Sequence, residues 1–485
     1  MSAELEVTTS NRGGQKICLD GFMYTKKHVA KSVDEIVFRC VKRASLKCPG
    51  ILKTTKSLGN PEVVTSHNHL SDTVGCQVEQ ARQGMKRKAS NTNDQPNQIL
   101  AFTVAALPAE VKARMPRSDS SKRVLRRIRA AHRPKNPQSL QELEIPDDWT
   151  SHLHYDNGPE ADERIISFTT PHHLELLARC DEWCMDGTFS VAPRLFTQLY
   201  VIQGRVNSVY LPLVYVLLQR KTQSSYEQVF RVLAESGCDP ISVIIDFERP
   251  VELALHVVFG EEVQVRFCFY HLTQSIWRQI QHLGLKNLYE SDEEFRLFCG
   301  QVDALAFLPP KDVKDGMSYL RSTMPEEAAP LLEYFDSTYI SGQLRHRRNI
   351  TSKSGHLQPI SIHLRRTPPM FPPEKWNMHH ATLNNQPRTN NICEGWNNKF
   401  FRLVGHANPT VWKLIECLQA DAATVDEILL QQERGIRPAK RFKKIYKELH
   451  TRIQNLVIDL NEEKKTIPQF LRGISYNLRG GDMNA

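Results

Sequence analysis

No apolar run in this sequence approaches the ~20 residues that a membrane-spanning helix needs. The most apolar stretch, Val209 to Leu218, has only ten, so no membrane partner is expected. Met1 to Ser10 contains Glu4 and Glu6 and no apolar core, so no secretory signal is expected. Cysteine is sparse, with 11 in 485 residues, and Cys40 and Cys48 are the close pair. That excludes a disulfide scaffold and suits a reducing compartment, where thiols are buried, metal-bound or catalytic. No internal repeat is visible. What is present is ordinary globular material, 40% hydrophobic and 24% charged, in a length that suggests roughly three domains. The net charge of +9 is modest for such a chain, and its distribution says more than its total.

The positive charge is concentrated. Lys112 to Lys135 holds ten Lys or Arg against one acid, Asp119. Arg123, Arg126, Arg127 and Arg129 fall within seven residues and are candidates for neutralising phosphates of double-stranded DNA. A solvated charged surface is the plainer reading of such a run. Upstream, Lys86-Arg87-Lys88 suits nuclear import, and Ala89 to Asn97 is rich in Asn, Gln and Ser. Residues 71–139 are therefore expected to bury little and to act as a basic linker.

Before that segment lies a small module. Cys40 and Cys48 are eight apart, and His67 and His69 are two apart. Two thiolates and two imidazoles complete a tetrahedral set for structural Zn²⁺. Ile36, Phe38 and Cys40 alternate as on a strand, Cys48-Pro49-Gly50 begins the return, and His67 and His69 on a strand would share a face. Residues 16–70 are too few for a large core, so a metal would supply missing folding energy. The spacing differs from the common Cys-x2-4-Cys finger. With Gly21-Phe22-Met23-Tyr24, Phe38-Arg39-Cys40, Cys48 and His67-Asn68-His69, the module resembles the FLYWCH-type zinc finger. Phe38 stands where that family usually has Trp. The resemblance implies a DNA- or protein-binding module.

The rest alternates strands and helices. Ile166 to Arg179 reads as a helix. Strands follow at Glu182–Ser190, Gln198–Gly204 and Val209–Gln219, then a helix at Ser224–Glu235 with Tyr226, Val229, Phe230 and Leu233 at helical spacing. Ile241–Asp246 is a buried strand, Pro250–Phe259 a helix, Val263–Cys268 a strand and Tyr270–Leu283 a helix. An antiparallel start followed by α/β units predicts a mixed sheet covered by helices. Helices are expected at Phe295–Val302, Lys311–Ser322 and Pro330–Ser337, and two more near Asn391 and Pro409. Residues 346–385 are rich in Pro, Asn, His and Arg.

Three acids stand at particular points of this pattern. Asp186 ends the first strand of the run, Asp246 ends the fourth, and Glu394 opens a helix whose Ile392, Trp396 and Phe400 form a stripe. If the first and fourth strands are neighbours, both aspartates emerge at one edge. Two divalent ions about 4 Å apart can clamp the attacking and leaving oxygens of a phosphoryl displacement, and Mg²⁺ needs few carboxylates because it keeps waters. Each acid also has a structural reading: a turn at Asp186-Gly187, a helix cap at Asp246, and a capping box at Asn391-x-x-Glu394.

With these acids, spaced by 60 and 148 residues, with Cys268-Phe269-Tyr270-His271, and with Arg388-Thr389-Asn390-Asn391 before Glu394, residues 140–425 resemble the transposase of Mutator-like (MULE) DNA elements. The resemblance implies an RNase H-like mixed-sheet core with a helical insertion, an Asp186–Asp246–Glu394 triad, two Mg²⁺ ions, and cutting and joining of DNA at element ends in the nucleus. Self-association is also implied. Three roles are open to Cys268 and His271: a second zinc, contact with DNA, or packing, with packing or orientation favoured. The expected layout is a disordered tail (1–15), a finger (16–70), a basic linker (71–139), core (140–284), helical insertion (285–385), catalytic helix (386–425) and C-terminal helical tail (426–485). Within the tail, Arg434 to Lys465 mixes Lys and Arg with Ile, Leu and Phe, reads as helical, and is open to three uses: packing on the core, dimerisation or DNA contact. The competing reading of the whole is a domesticated, transposase-derived DNA-binding regulator without catalysis.

Overall fold

The computed structural model describes residues 6–9, 14–27, 35–92, 94–131, 133–207, 209–348, 362–386, 388, 391–436 and 444–479. Thr389 and Asn390 lie outside them, as does most of the expected disordered tail at 1–15, of which Glu6–Thr9 instead forms a strand paired with the finger sheet. The chain divides into two compact units, Met1–Lys135 and Asn136–Ala485.

The first unit begins with six antiparallel strands in chain order: β1 (Glu6–Thr9), β2 (Gln15–Leu19), β3 (Phe22–Lys26), β4 (Glu35–Cys40), β5 (Ile51–Thr55) and β6 (Glu62–Thr65). Ile17, Leu19, Tyr24, Phe38 and Leu52 form its core. Phe38 is fully buried, so the aromatic role is kept at this position. A one-turn helix, α1 (Arg43–Leu46), joins β4 to β5, and Lys47 closes it in the left-handed region at φ 50°.

Residues 73–131 correct the linker expectation. They fold as α2 (Thr73–Asn91), α3 (Pro96–Ala105), α4 (Ala109–Arg114) and α5 (Ser118–Ala131). Met85, Ala89, Ile99, Leu100 and Leu125 pack together between them. The apolar residues are few, but they fall on one side of each helix, and burying a large side chain contributes about 1.5–3 kcal/mol. Asp72 caps α2 by accepting from the Gly75 N–H at 2.9 Å and pairs with Arg114 of α4. Lys86-Arg87-Lys88 lies inside α2.

The second unit is built on a seven-stranded sheet. Its strands are β7 (Leu153–Asp156), β8 (Ile165–Phe168), β9 (Glu182–Thr188), β10 (Gln198–Val206), β11 (Val209–Leu218), β12 (Ser242–Ile245) and β13 (Gln264–Phe267). Their order is β13-β12-β9-β10-β11-β8-β7. β9, β10 and β11 are antiparallel, while β12 runs parallel to β9 and to β13. Helices α6 (Pro171–Ala178), α7 (Gln223–Glu235), α8 (Arg249–Phe259) and α9 (Phe269–His282) connect them. The helix expected from Ile166 starts only at Pro171. Ile165–Phe168 instead pairs with β11 as a strand, because four consecutive buried residues suit a sheet interior better than one helix face.

After α9 come α10 (Lys286–Ser291), α11 (Glu293–Ala304), α12 (Val313–Thr323) and α13 (Ala329–Phe335). A hairpin of β14 (Leu344–Arg348) and β15 (Ile362–Arg366) follows, then α14 (Pro373–Trp376), α15 (His379–Leu383), α16 (Asn391–Val404), α17 (Val411–Glu433), α18 (Lys444–Asn461) and α19 (Ile467–Arg479). On one sheet face Trp183, Met185, Tyr200 and Val243 pack with Tyr226, Phe230 and Leu255. On the other, Leu199, Val201, Tyr215 and Leu217 pack under Trp396, Phe400, Leu414 and Leu418 of α16 and α17. The C-terminal helix packs rather than projects. Phe470, Leu471 and Ile474 of α19 are buried, and Arg479 Nε donates to Asp303 Oδ2 of α11 at 2.6 Å.

Candidate active site and zinc site

In the first unit, Cys40 ends β4, Cys48 follows α1, and His67 and His69 lie just beyond β6. The histidines are not on a strand as expected; they stand in the bend after it. Donor atoms of all four lie within 4.8 Å of one another. Cys40 Sγ is 3.2 Å from His69 Nε2, and Cys48 Sγ is 3.3 Å from His67 Nδ1. Zinc bonds of about 2.0–2.3 Å at tetrahedral angles call for separations of this order.

The surroundings prepare this set. The other nitrogen of His67, Nε2, is 2.8 Å from the Tyr24 hydroxyl, which fixes the ring with Nδ1 free to ligate. Phe22 stacks on the same ring at 3.9 Å. Burial lowers the His67 pKa and so favours the neutral imidazole. The thiols are pulled apart. Burial raises Cys40, whereas N–H groups of Asn68 and Gly50, with the Cys40 thiol, overcome burial and lower Cys48. At Gly50 a Cβ would stand 2.5 Å from the His67 ring, so only glycine lets the imidazole approach. The donor set fits structural zinc.

In the second unit the sheet register brings the two aspartates together. Ser242, Val243 and Ile244 of β12 pair with Glu182, Trp183 and Cys184 of β9. Asp186, inside β9, and Asp246, one residue past the end of β12, therefore lie at the same end of two neighbouring parallel strands. Asp186 faces α16, where Asn397 Nδ2 donates to its Oδ2 at 2.7 Å. Glu394 lies in the first turn of that helix, three residues before Asn397. Trp396 and Phe400 seat the helix on the sheet; the Ile392 side chain lies outside the described residues.

Electrostatics follow from this crowding. Burial, then the Asp246 carboxylate and, more weakly, Glu394 raise Asp186 to about 7, against hydrogen bonds from Gly187 and Asn397. Burial raises Asp246, opposed by Lys221, and burial also raises Glu394. Asp246 Oδ1 is buried with no hydrogen-bond partner among the described residues. A buried carboxylate oxygen left this way is costly, and a hard cation would satisfy it. Among the described residues, the three acids are not a set whose donor atoms all lie within 4.8 Å of one another.

Cys268 N-caps α9 and packs in a buried cluster with Cys184 and Cys393. His271 turns the other way, with Nε2 3.8 Å from Glu394 Oε1, and burial pushes it down to about 4. Sequence reading missed three neighbours. Asn397 holds Asp186. Glu248, two residues after Asp246, is buried and accepts from the Tyr226 hydroxyl at 2.6 Å. Lys221 pairs with Glu248 at 3.2 Å. Only Glu248 left a signal, as a second acid at the same strand end.

Of the four arginines expected to meet DNA, Arg123, Arg126 and Arg127 are exposed on α5. Arg129 is occupied: its guanidinium donates to the carbonyls of Ala89, Thr92 and Asp94 at 3.1, 2.9 and 2.5 Å. It caps the end of α2 instead.

No helix among the described residues is long and apolar enough to cross a membrane. A comparison with curated proteins gives no match. Residues 7–69 match the family model of the FLYWCH zinc finger domain, and residues 182–275, which contain both aspartates and the Cys268–His271 pair, match that of the MULE transposase domain. Two segments of the chain are thus similar, in order, to a FLYWCH zinc finger and to a MULE transposase domain.

Proposed function

We propose that this protein is a metal-dependent DNA transposase of the Asp-Asp-Glu type, acting on double-stranded DNA in the nucleus. The observation that carries this reading is the placement of Asp186 on β9 and Asp246 just past the end of the adjacent parallel strand β12, with Asn397 of the Glu394-bearing helix bonded to Asp186. The strand run β13-β12-β9-β10-β11, with β9 to β11 antiparallel, supports an RNase H-like core. The orphaned Asp246 oxygen and the proton-retaining Asp186 support cation binding, and the looseness of the triad suits a shared pair of ions better than a single one.

Asp186, Asp246 and Glu394 would hold two Mg²⁺. Such ions supply Lewis-acid activation of the attacking and leaving oxygens in an in-line phosphoryl displacement. Asn397 orients the Asp186 carboxylate, and His271 flanks Glu394. Water would first cut a phosphodiester, leaving a 3′-hydroxyl. That hydroxyl would then attack a phosphodiester of the target strand. The exposed arginines of α5 and the finger would hold the DNA.

The test is Mg²⁺-dependent cleavage of candidate terminal-repeat DNA by the purified protein. Loss of cleavage in Glu394→Ala with DNA binding retained is the expected result. Undiminished cleavage by that variant would end the assignment.

A further inference from the structure

A second cluster of metal-ligating side chains lies outside both sites. His172 and His173 open α6, and Asp426 projects from α17. One donor atom from each lies within 4.8 Å of the others. His173 Nε2 is 2.8 Å from Asp426 Oδ1, and His172 Nδ1 is 4.0 Å from the same oxygen. His173 is wholly buried, and its Nδ1 has no hydrogen-bond partner among the described residues. His172 and Asp426 are 56% and 47% exposed, so the cluster opens to solvent on one side.

We propose that His172, His173 and Asp426 form a second transition-metal site, of the two-imidazole, one-carboxylate kind that takes Zn²⁺ with water in the remaining position. Burial keeps the His173 ring neutral, the form that ligates. The first turn of a helix is by itself a poor place for a cation; the Asp426 carboxylate supplies the opposing charge. Site and sheet are linked through α17. Five residues before Asp426, Asp421 accepts from the Tyr215 hydroxyl of β11 at 2.8 Å and from Trp396 Nε1 of α16 at 2.7 Å. An ion joining α6 to α17 would brace the layer on which α16 rests. The site is independent of the acid triad, and its test does not require catalysis.

A plain His173–Asp426 hydrogen bond would tie the same helices without an ion, and in that case His172 would have no part. The discriminating experiment therefore uses His172→Ala, an exposed position that leaves the tie intact. The full chain is equilibrated with zinc, freed of weakly held ion, and its bound zinc counted. Two equivalents are expected, one lost in Cys48→Ser and the other in His172→Ala. Cobalt titration of a protein carrying both Cys40→Ser and Cys48→Ser, which leaves no thiolate in the finger site, gives a second readout. A thiolate-free spectrum is expected, with the affinity weakened about tenfold or more by adding His172→Ala. A single zinc equivalent that His172→Ala leaves unchanged, or cobalt binding indifferent to that substitution, would overturn the proposal.

Discussion

At the scale of single residues, the acid site depends on neighbours that carry no charge change. Asn397 bonds Asp186 through one amide hydrogen, and its Oδ1 is buried without a partner among the described residues. Asn397→Ala should lower Mg²⁺-dependent cleavage about 10–100-fold, as removal of an orienting partner does, while a gel-shift measurement finds DNA binding little changed. Equal loss of both would assign Asn397 to folding instead. The positions of Asp186, Asp246 and Glu394 in the elements were legible in the sequence, because strand ends and a helix start announce where a side chain emerges. Asn397 was not, because an asparagine in a helix has no spacing that marks a partner 211 residues away in sequence. The zinc ligands were legible as a set for a different reason: few other side-chain combinations in so small a module make chemical sense.

Among the elements, α5 separates two jobs along one helix. Leu125 is buried, and Arg123, Arg126 and Arg127 point outward. Replacing these three arginines with alanine should reduce the slope of log affinity against log salt by about 3, without a change in thermal stability. Arg129→Ala should do the reverse, costing about 1–3 kcal/mol of stability by freeing three carbonyls and leaving the salt slope nearly untouched. Comparable slopes for both variants would refute this division. The Asp72–Arg114 pair adds a pH dependence. The guanidinium, with the Gly75 N–H, holds the Asp72 carboxyl at about 2, below its unfolded value of about 3.9. A lowered carboxyl stabilises above the unfolded value, and the benefit is lost as pH falls through the folded one. Acid titration of the first unit should therefore show stability declining between about pH 4 and pH 2, and Arg114→Ala should flatten that decline. The helices of 73–131 escaped sequence reading because basic and polar residues dominate α2 and α5, and their few apolar positions become a core only when α2, α3 and α5 meet. The strand at Ile165–Phe168 escaped because a short apolar run has no period of its own.

For the whole molecule, the division into two units makes a thermal prediction. Cys40→Ser should lower the transition of the first unit, whose finger sheet has a core of only five buried residues and is small without a metal, and leave that of the second unit in place. A calorimetric trace in which both transitions shift together would contradict independent folding. Within the second unit, the buried Asp303–Arg479 pair fastens the last helix to the insertion. Asp303→Ala should cost about 3–5 kcal/mol, read as a lower denaturant midpoint. The mixed sheet covered by helices was foreseen, because an antiparallel start followed by α/β units leaves few topologies; its full strand order, with β8 and β7 at one edge, was not. The packing of α19 was not, since its apolar face had several possible partners.

The two aspartates are carried by neighbouring strands whose backbones are bonded to each other up to Cys184 and Ile244, whereas the glutamate arrives only after a detour of 148 residues. Two corners of the triangle are thus set by a rigid lattice and the third by how one helix is seated. Lengthening or trimming that detour leaves the first pair untouched, so the domain can acquire or shed intervening structure as long as Trp396 and Phe400 still find their seats.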